Sequence, residues 1–324
     1  MEASAYLQGL SLPSDIVSEP ACQAIRGLAP LLKGFDTAEN IFELDLTEAS
    51  LLTADFSFDI TQERAAAFKA AEALAKADSP AWKAAAEVFA LWNNEHAQTY
   101  QNIADIWFEF DYSECESGKA NPCLFIDAMR VAQGQSNLWL YEETLPVLLG
   151  GAVPPALQEH LDRCIQALPQ GEVLFQLGVM LARQQQEKKV RLFTGEMNII
   201  RFTDYLRQAE VSTPLPEALL PLMRTHSDGK YIVDFDISKS GLSAKMGINF
   251  GLSSYEPQGL SAFLKALCEL NLADWRRCAP LLSWCGGARD ISHFKLVLDP
   301  PKPVKAKVYL REWPQKASDN MSRW

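Results

Sequence analysis

The sequence is poor in the residues from which many catalytic centres are built. It has only four histidines, and none stands at metal-ligand spacing from another His or a Cys. The seven cysteines form no Cys-x-x-Cys pair. Their odd number indicates reduced thiols of a cytoplasmic protein rather than a disulfide framework. We therefore expect neither a metal site nor a bound cofactor.

Several common motifs are also missing. There is no Gly-rich phosphate loop and no Gly-x-Ser-x-Gly turn, which argues against the usual nucleotide-binding and serine-hydrolase sites. There is no Asp-Asp-x-x-Asp run to hold a magnesium diphosphate. No apolar run is long enough to cross a bilayer, and the segment 1–6 lacks the basic start of a secretory signal. These features predict a cytoplasmic protein that does not enter the membrane.

Charge is unevenly spread along the 324 residues. The net charge is −11, yet residues 1–162 carry 8 basic and 25 acidic side chains, and residues 163–324 carry 22 basic and 16 acidic ones. An acidic total argues against nucleic-acid binding, which needs a basic face. The basic second half leaves room for a local anion site.

The pattern that dominates the chain is a repeated pair of strands. Period-2 alternation around turn residues predicts five β-hairpins, at 41–60, 106–129, 172–195, 230–252 and 293–311. Helical segments separate them, at 62–77, from Pro80 onward, at 137–168, at 198–226 and at 257–284. The order predicts an α+β fold in which helices cover one face of the strands. Ten strands either close into a barrel with outer helices or form two open helix-backed sheets.

The domain organisation follows from the same pattern. We expect residues 1–40 to form a short helix, near 18–33, and a loop. The repeated body covers 41–311, with a possible boundary between halves near 131–170. A flexible tail follows at 312–324.

Alternation assigns one apolar and one charged face to the hairpins. The charged face of the first two carries acids, including Glu43, Asp45, Glu109 and Asp111, whereas the last carries bases. In open sheets this face meets solvent, where charge pairs contribute little. In a closed barrel it lines a lumen, where a ligand would bind between opposite charges.

Lys305, Lys307 and Tyr309 alternate on one strand, in a chain whose hairpins alternate with helical pairs. This order resembles the aromatic prenyltransferase family, whose ten-strand barrel is built from repeated α-β-β-α units. The resemblance implies that inward basic residues and tyrosines hold and shield an isoprenoid diphosphate. The residues to which it assigns this binding are Arg191, Lys245, Lys295, Lys305, Lys307 and Tyr309. His293 is a further candidate for ligand binding, because it opens a strand beside Lys295.

Three functions are open from the sequence. The preferred hypothesis is a non-catalytic binder of a peptide or small molecule, because the first two hairpins offer acids where a diphosphate site needs bases. By analogy, it would assist a partner enzyme in a bacterial ribosomal-peptide tailoring pathway. The alternative is a metal-independent prenyltransferase that acts on an aromatic or peptide substrate, with Glu109 or Asp111 as general base. The third is a scaffold whose halves dock through opposite charge.

Overall fold

The computed structural model of the protein describes residues 1–49, 51–61, 79–183 and 188–313. The helix predicted at 62–77 and the end of the tail, 314–324, lie outside the described residues, as does most of the turn predicted at 184–188. Ten strands are described: β1 Asn40–Asp45, β2 Asp55–Thr61, β3 Asp105–Phe110, β4 Cys123–Asp127, β5 Leu174–Val179, β6 Lys189–Thr194, β7 Ile232–Ser238, β8 Gly241–Phe250, β9 Arg289–Leu298 and β10 Lys305–Glu312.

The ten strands form one closed antiparallel barrel in which every strand pairs with its neighbours in sequence. Closure comes from β1, which pairs with β2 on one side and with β10 on the other. The α+β fold is thus confirmed, and the closed barrel replaces the two open sheets. Because all ten strands are paired on both sides, none of them offers a free edge to which a peptide could add as a further strand.

Helices surround the barrel between the hairpins. Within the described residues they are α1 Ala3–Gln8, α2 Glu19–Arg26, α3 Pro80–Trp92, α4 Gln98–Asn102, α5 Tyr112–Glu116, α6 Leu145–Leu148, α7 Pro155–Gln166, α8 Ile199–Gln208, α9 Leu219–His226, α10 Pro257–Glu269 and α11 Trp275–Cys278. Helix α3 begins as the sequence predicts. The Ser79 side chain accepts a hydrogen bond from the amide of Ala81 at 3.2 Å, and Pro80 fills a position that needs no amide donor.

One local prediction differs from the structure. The N-terminal helix predicted near 18–33 ends at Arg26, because Gly27 follows and the chain continues in turns to residue 34. In the second hairpin, the connection between β3 and β4 contains the short helix α5. In that part of the chain that the structure describes, no helix is long and apolar enough to cross a membrane.

The core lies between the outer face of the barrel and the helices. Phe58 of β2 and Phe108 of β3 stack with their ring centroids 5.3 Å apart. Phe35 from the N-terminal segment and Phe89 of α3 both contact the Phe108 ring, at 5.7 Å. All four rings are fully buried. Each buried aromatic side chain contributes about 1.5–3 kcal/mol, so this packing holds the helices outside and leaves the other strand face to line the lumen.

Candidate active site

The lumen of the barrel contains two adjoining cavities. The upper one has a volume of about 330 Å³ and opens at the barrel end where β1 begins and β2 ends. The lower one has a volume of about 40 Å³. Glu43, Glu109, Arg191 and Lys295 line both cavities, and so form the layer between them.

The upper cavity is lined by aromatic rings together with charged side chains. Its ring-bearing lining residues are Trp107, Phe125, Phe175, Phe193, Phe250, His293 and Tyr309. Gly178 of β5 makes room for one of them, because a Cβ at that position would lie 2.1 Å from the Phe125 ring. The Phe193 ring in turn lies 5.7 Å from the Nζ of Lys295, within cation–π range. The cavity can therefore hold a flat or apolar group beside a positive charge.

The lower cavity is charged. Its cations are Arg183, Arg191, Lys245, Lys295 and Lys307, and its acids are Glu43, Glu109, Asp234 and Asp236. Alternation brings most of them there: odd-numbered residues on β10 and even-numbered ones on β7 point inward. Basic and acidic side chains thus lie next to one another around the lower cavity.

Lys295 and Asp234 form the most buried ion pair of this layer. Their Nζ and Oδ2 atoms are 2.8 Å apart, and the side chains are 8% and 5% exposed. The Asn249 amide donates a further hydrogen bond to the same carboxylate at 2.8 Å. Gly247 of β8 leaves the space for the pair, since a Cβ there would lie 2.2 Å from both Asp234 Oδ2 and Lys295 Cε. The Lys295–Asp234 pair therefore packs directly against the barrel backbone at Gly247.

Glu43 joins the last strand to the first across the closure of the barrel. It accepts hydrogen bonds from Lys307 and from the Tyr309 hydroxyl. Burial would raise the pKa of the Glu43 carboxyl, but Lys307 and Lys295 outweigh it and hold the pKa below its usual range. Lys307 shows the reciprocal effect: burial opposes its charge, yet Glu43 raises the pKa of the ammonium. Both groups are therefore charged at neutral pH.

Arginines neutralise the remaining acids. Arg183, in the helical turn Leu181–Arg183 after β5, binds Asp111 through two nitrogens and lies 3.2 Å from Glu109 Oε1. Arg191 binds Asp236 at 2.7 Å. Lys245 forms no ion pair with the described residues. Its side chain is exposed, but partial desolvation in the lumen, together with Arg191 and Lys307, lowers the pKa of its ammonium.

His293 and Tyr309 form the side of the upper cavity near this layer. Their rings stack with centroids 4.0 Å apart. Burial and the nearby Lys295 lower the pKa of His293 to about 3, so the imidazole is neutral at physiological pH. A neutral ring can accept or donate a hydrogen bond but adds no charge to the site.

The structure brings most of the predicted site residues together. Glu109, Arg191, Lys245, His293, Lys295, Lys307 and Tyr309 all line the lumen cavities. Lys305 does not line either cavity and is paired with Asp45 at 3.1 Å. Asp111 lies one residue beyond the end of β3, where it holds Arg183.

Three residues that line the lumen cavities are not among the predicted site residues. Glu43 lies on the strand face that the sequence predicts to be polar, but nothing in the alternation shows that Lys307 faces it. Gln176 of β5 lines the upper cavity within a hairpin that is mostly apolar. Arg183 lies in the short helical turn Leu181–Arg183, where the alternation of a strand does not predict the direction of a side chain.

The chain was compared with known proteins. No family model matches the sequence, and no curated protein matches it. Solved structures do match. The 5-dimethylallyltryptophan synthase from Streptomyces coelicolor is 13% identical, with a TM-score of 0.55 over 97% of this chain and 95% of that one. The fold is the aromatic prenyltransferase barrel.

Two further structures share this barrel. The 6-dimethylallyltryptophan synthase from Micromonospora olivasterospora, in complex with DMASPP and Trp, is 12% identical, with a TM-score of 0.51 over 95% of this chain and 93% of that one. AnaPT from Neosartorya fischeri is 10% identical, with a TM-score of 0.52 over 95% of this chain and 90% of that one. At such identities the likeness concerns the fold, and the function has to be argued from the lumen itself.

Proposed function

We propose that this protein transfers a prenyl group from an isoprenoid diphosphate to an aromatic acceptor without a metal ion. The observation that carries the proposal is the arrangement of the lumen, in which a cavity with seven ring-bearing residues adjoins a smaller cavity with five cations. An isoprenoid diphosphate has the same two parts, an apolar allyl chain and a multiply charged head. The fold likeness to dimethylallyltryptophan synthases supports this alternative over non-catalytic binding.

The cations would receive the diphosphate. Lys245 has no acid partner among the described residues, and Lys295 and Lys307 lie in the same cavity. Ion pairs that stay accessible to solvent contribute only about 0–1 kcal/mol each. Among the paired cations of this cavity, Arg183 is the most accessible, with 35% of its side chain exposed. A diphosphate can therefore replace the carboxylate partners of the more accessible cations, such as Arg183. The cations would then stabilise the charge that collects on the leaving diphosphate.

The aromatic cavity would receive the carbon chain and the acceptor. When the C1–O bond of the donor breaks, its electron pair leaves with the diphosphate and an allyl cation remains. The ring faces of Trp107, Phe193 and Tyr309 are suited to hold that cation, because π-systems attract positive charge. The acceptor ring attacks it, a carbon–carbon bond forms, and the ring carbon loses its proton to a base.

Glu109 is the proposed base. It lines both cavities, whereas Asp111 lines neither. Burial, with the neighbouring Glu43 charge, raises the pKa of Glu109 against the opposing effect of Arg183. A carboxylate with a raised pKa is a better proton acceptor than a solvated one.

The test is a transfer assay with dimethylallyl or geranyl diphosphate and aromatic acceptors in the presence of a chelator. We expect an acceptor that has gained one prenyl group in place of hydrogen, detected by mass spectrometry. Glu109→Gln should abolish turnover while inorganic diphosphate still raises the melting temperature. Absence of product with any donor, together with no thermal shift from diphosphate, would refute the proposal.

A second candidate is a non-catalytic binder of a peptide or small molecule, working with a partner enzyme. The observation that favours it is that Arg183, Arg191, Lys295 and Lys307 each already have an acid partner. Such a binder would hold its ligand in the lumen, since the described strands leave no free edge. Retention of a ligand in native mass spectrometry, without turnover of any prenyl donor, is the result that this candidate predicts.

A further inference from the structure

The lower cavity reaches solvent at the end of the barrel that lies opposite the upper opening. Between the two cavities, the side chains are only 8% to 18% exposed; they are those of Glu43, Glu109, Arg191 and Lys295. Lys245 lines the lower cavity and is nevertheless exposed. It lies two residues before Gly247, toward the start of β8 and away from the upper opening. Because the layer between the cavities is largely buried, solvent reaches Lys245 from the other end of the barrel.

The strand order places cations around this second end. Arg183 follows the end of β5, Lys245 lies in the first half of β8, and Lys305 begins β10. The end of β5 and the starts of β8 and β10 lie together because neighbouring strands are antiparallel. Lys305 pairs across the sheet with Val297, which lines the lower cavity, so both side chains lie on the lumen face. We call the end of the lumen at Arg183, Lys245 and Lys305 the lower opening.

The cations of the lower opening extend further into solvent than the acids that pair with them. The Arg183 side chain is 35% exposed, whereas that of Asp111 is 14% exposed. Lys305 is 42% exposed and its partner Asp45 is 21% exposed. Lys245 has no ion-pair partner among the described residues. An anion that approaches this end therefore meets basic groups before it meets carboxylates.

The cations continue from the lower opening into the lumen. Lys307 follows Lys305 on the same face of β10 and pairs across the sheet with Lys295 of β9. Lys245, Lys295 and Lys307 all line the lower cavity. A confined row of like charges focuses the electric field and speeds the entry of an ion of opposite sign. The row thus connects solvent with the layer at which the diphosphate would be bound.

The upper opening is less suited to the passage of an anion. Its exposed Lys230 already pairs with Glu196 at 2.8 Å, and the exposed Asp228 lines the same cavity. The upper cavity is also the one whose aromatic rings would hold the acceptor. An acceptor bound there would obstruct the way from the charged layer to the upper opening.

We propose that inorganic diphosphate leaves and enters the lumen through the lower opening, with Lys245 as its outermost contact, while the acceptor uses the upper opening. This inference rests on the proposed prenyl transfer, because it names the route by which one product of that reaction departs. Diphosphate can then dissociate while the prenylated acceptor still occupies the upper cavity.

The test measures the binding rates of inorganic diphosphate to the full-length protein at low ionic strength, without donor or acceptor. Calorimetry gives the Kd, broadening of the ³¹P NMR line of diphosphate gives the dissociation rate constant, and their ratio gives the association rate constant. We expect Lys245→Glu to lower the association rate constant about tenfold, and Lys245→Met to lower it less. Lys230→Glu, the same charge reversal at the upper opening, is the matched control and should change it by less than about twofold.

The two rate constants distinguish a route from a simple contact. If Lys245 only touched the bound diphosphate, its loss would raise the dissociation rate constant and leave association unchanged. Slower association of Lys230→Glu in place of Lys245→Glu, unchanged association in both, or no binding to the wild type would each overturn the inference. Lys245 is exposed, so its variants are expected to fold. If Lys245→Glu does not fold, Lys305→Met takes its place and should also slow association.

The outcome is separable from that of the proposed reaction. Diphosphate association that depends on Lys245, without prenylation of any aromatic acceptor, would support the route and refute the transfer. Prenyl transfer in a protein whose diphosphate association depends on Lys230 and not on Lys245 would support the transfer and refute the route.

Discussion

Removal of the Lys295 ammonium should destabilise the barrel because it leaves Asp234 charged and buried. Both side chains are less than a tenth exposed, and Asp234 keeps only the Asn249 amide as a side-chain donor once the lysine is gone. Breaking one side of such a pair costs about 3–5 kcal/mol. For Lys295→Met we therefore expect a melting temperature lower by roughly 6–15 °C.

The double variant Lys295→Met with Asp234→Asn separates charge from packing. A neutral pair leaves no unpaired charge, so the double variant should recover at least about 2 kcal/mol of the loss. Differential scanning fluorimetry and urea unfolding of both single variants and the double variant measure the cycle. A Lys295→Met protein as stable as the wild type, or a double variant no better than the worse single one, would refute the view that this pair is desolvated.

Three other predictions concern the lumen. Glu43→Gln removes the carboxylate that Lys307 and Tyr309 contact, so inorganic diphosphate should bind about tenfold more tightly to this variant. Glu87→Gln, at an exposed position of α3, is the control and should leave the Kd of diphosphate unchanged. Equal affinities of the wild type and Glu43→Gln would mean that the anion does not reach Lys307. Burial and the charges of Asp127 and Asp59 raise the pKa of Asp105 to about 7. The folded state therefore binds this proton more tightly than the unfolded chain, and stability is lost as pH rises from about 4 to about 7. The melting temperature of Asp105→Asn relative to wild type should increase over that range. A constant difference would contradict the raised pKa. Gly178→Ala puts a Cβ against the Phe125 ring, and we expect a loss of about 1–3 kcal/mol in unfolding experiments; unchanged stability would show that the ring moves aside freely.

The fold could be predicted from the sequence because it depends on a local property. Alternation over a few residues assigns each strand its two faces, and the polar and apolar sets agree with the lumen and the core. Phe58 and Phe108, for example, both lie on the face predicted to pack against helices. Closure could not be deduced, because open and closed sheets have the same alternation and differ only in whether β1 pairs with β10.

The site was less predictable for a related reason. The sequence identifies Lys307 as an inward base, but its neutralisation by Glu43 depends on strands that are 264 residues apart. Arg183 binds Asp111 from a short helical turn, where the alternation of a strand does not predict which side chains point into the lumen. Charge pairing across a barrel is a property of the closed three-dimensional arrangement, so counting bases on single strands overestimates how many are available to an anion.

The pairing of β1 with β10 also has a consequence for biosynthesis. The first strand leaves the ribosome long before the last one. Asp45 of β1 pairs with Lys307 of β10, and most of the chain lies between these two residues. Until then the growing hairpins form an open sheet with two unsatisfied backbone edges, which is a state prone to association. Contacts so distant in sequence also form slowly. A stop codon placed just before β10 should therefore yield insoluble protein, whereas the complete barrel is expected to fold only after its final strand has been synthesised.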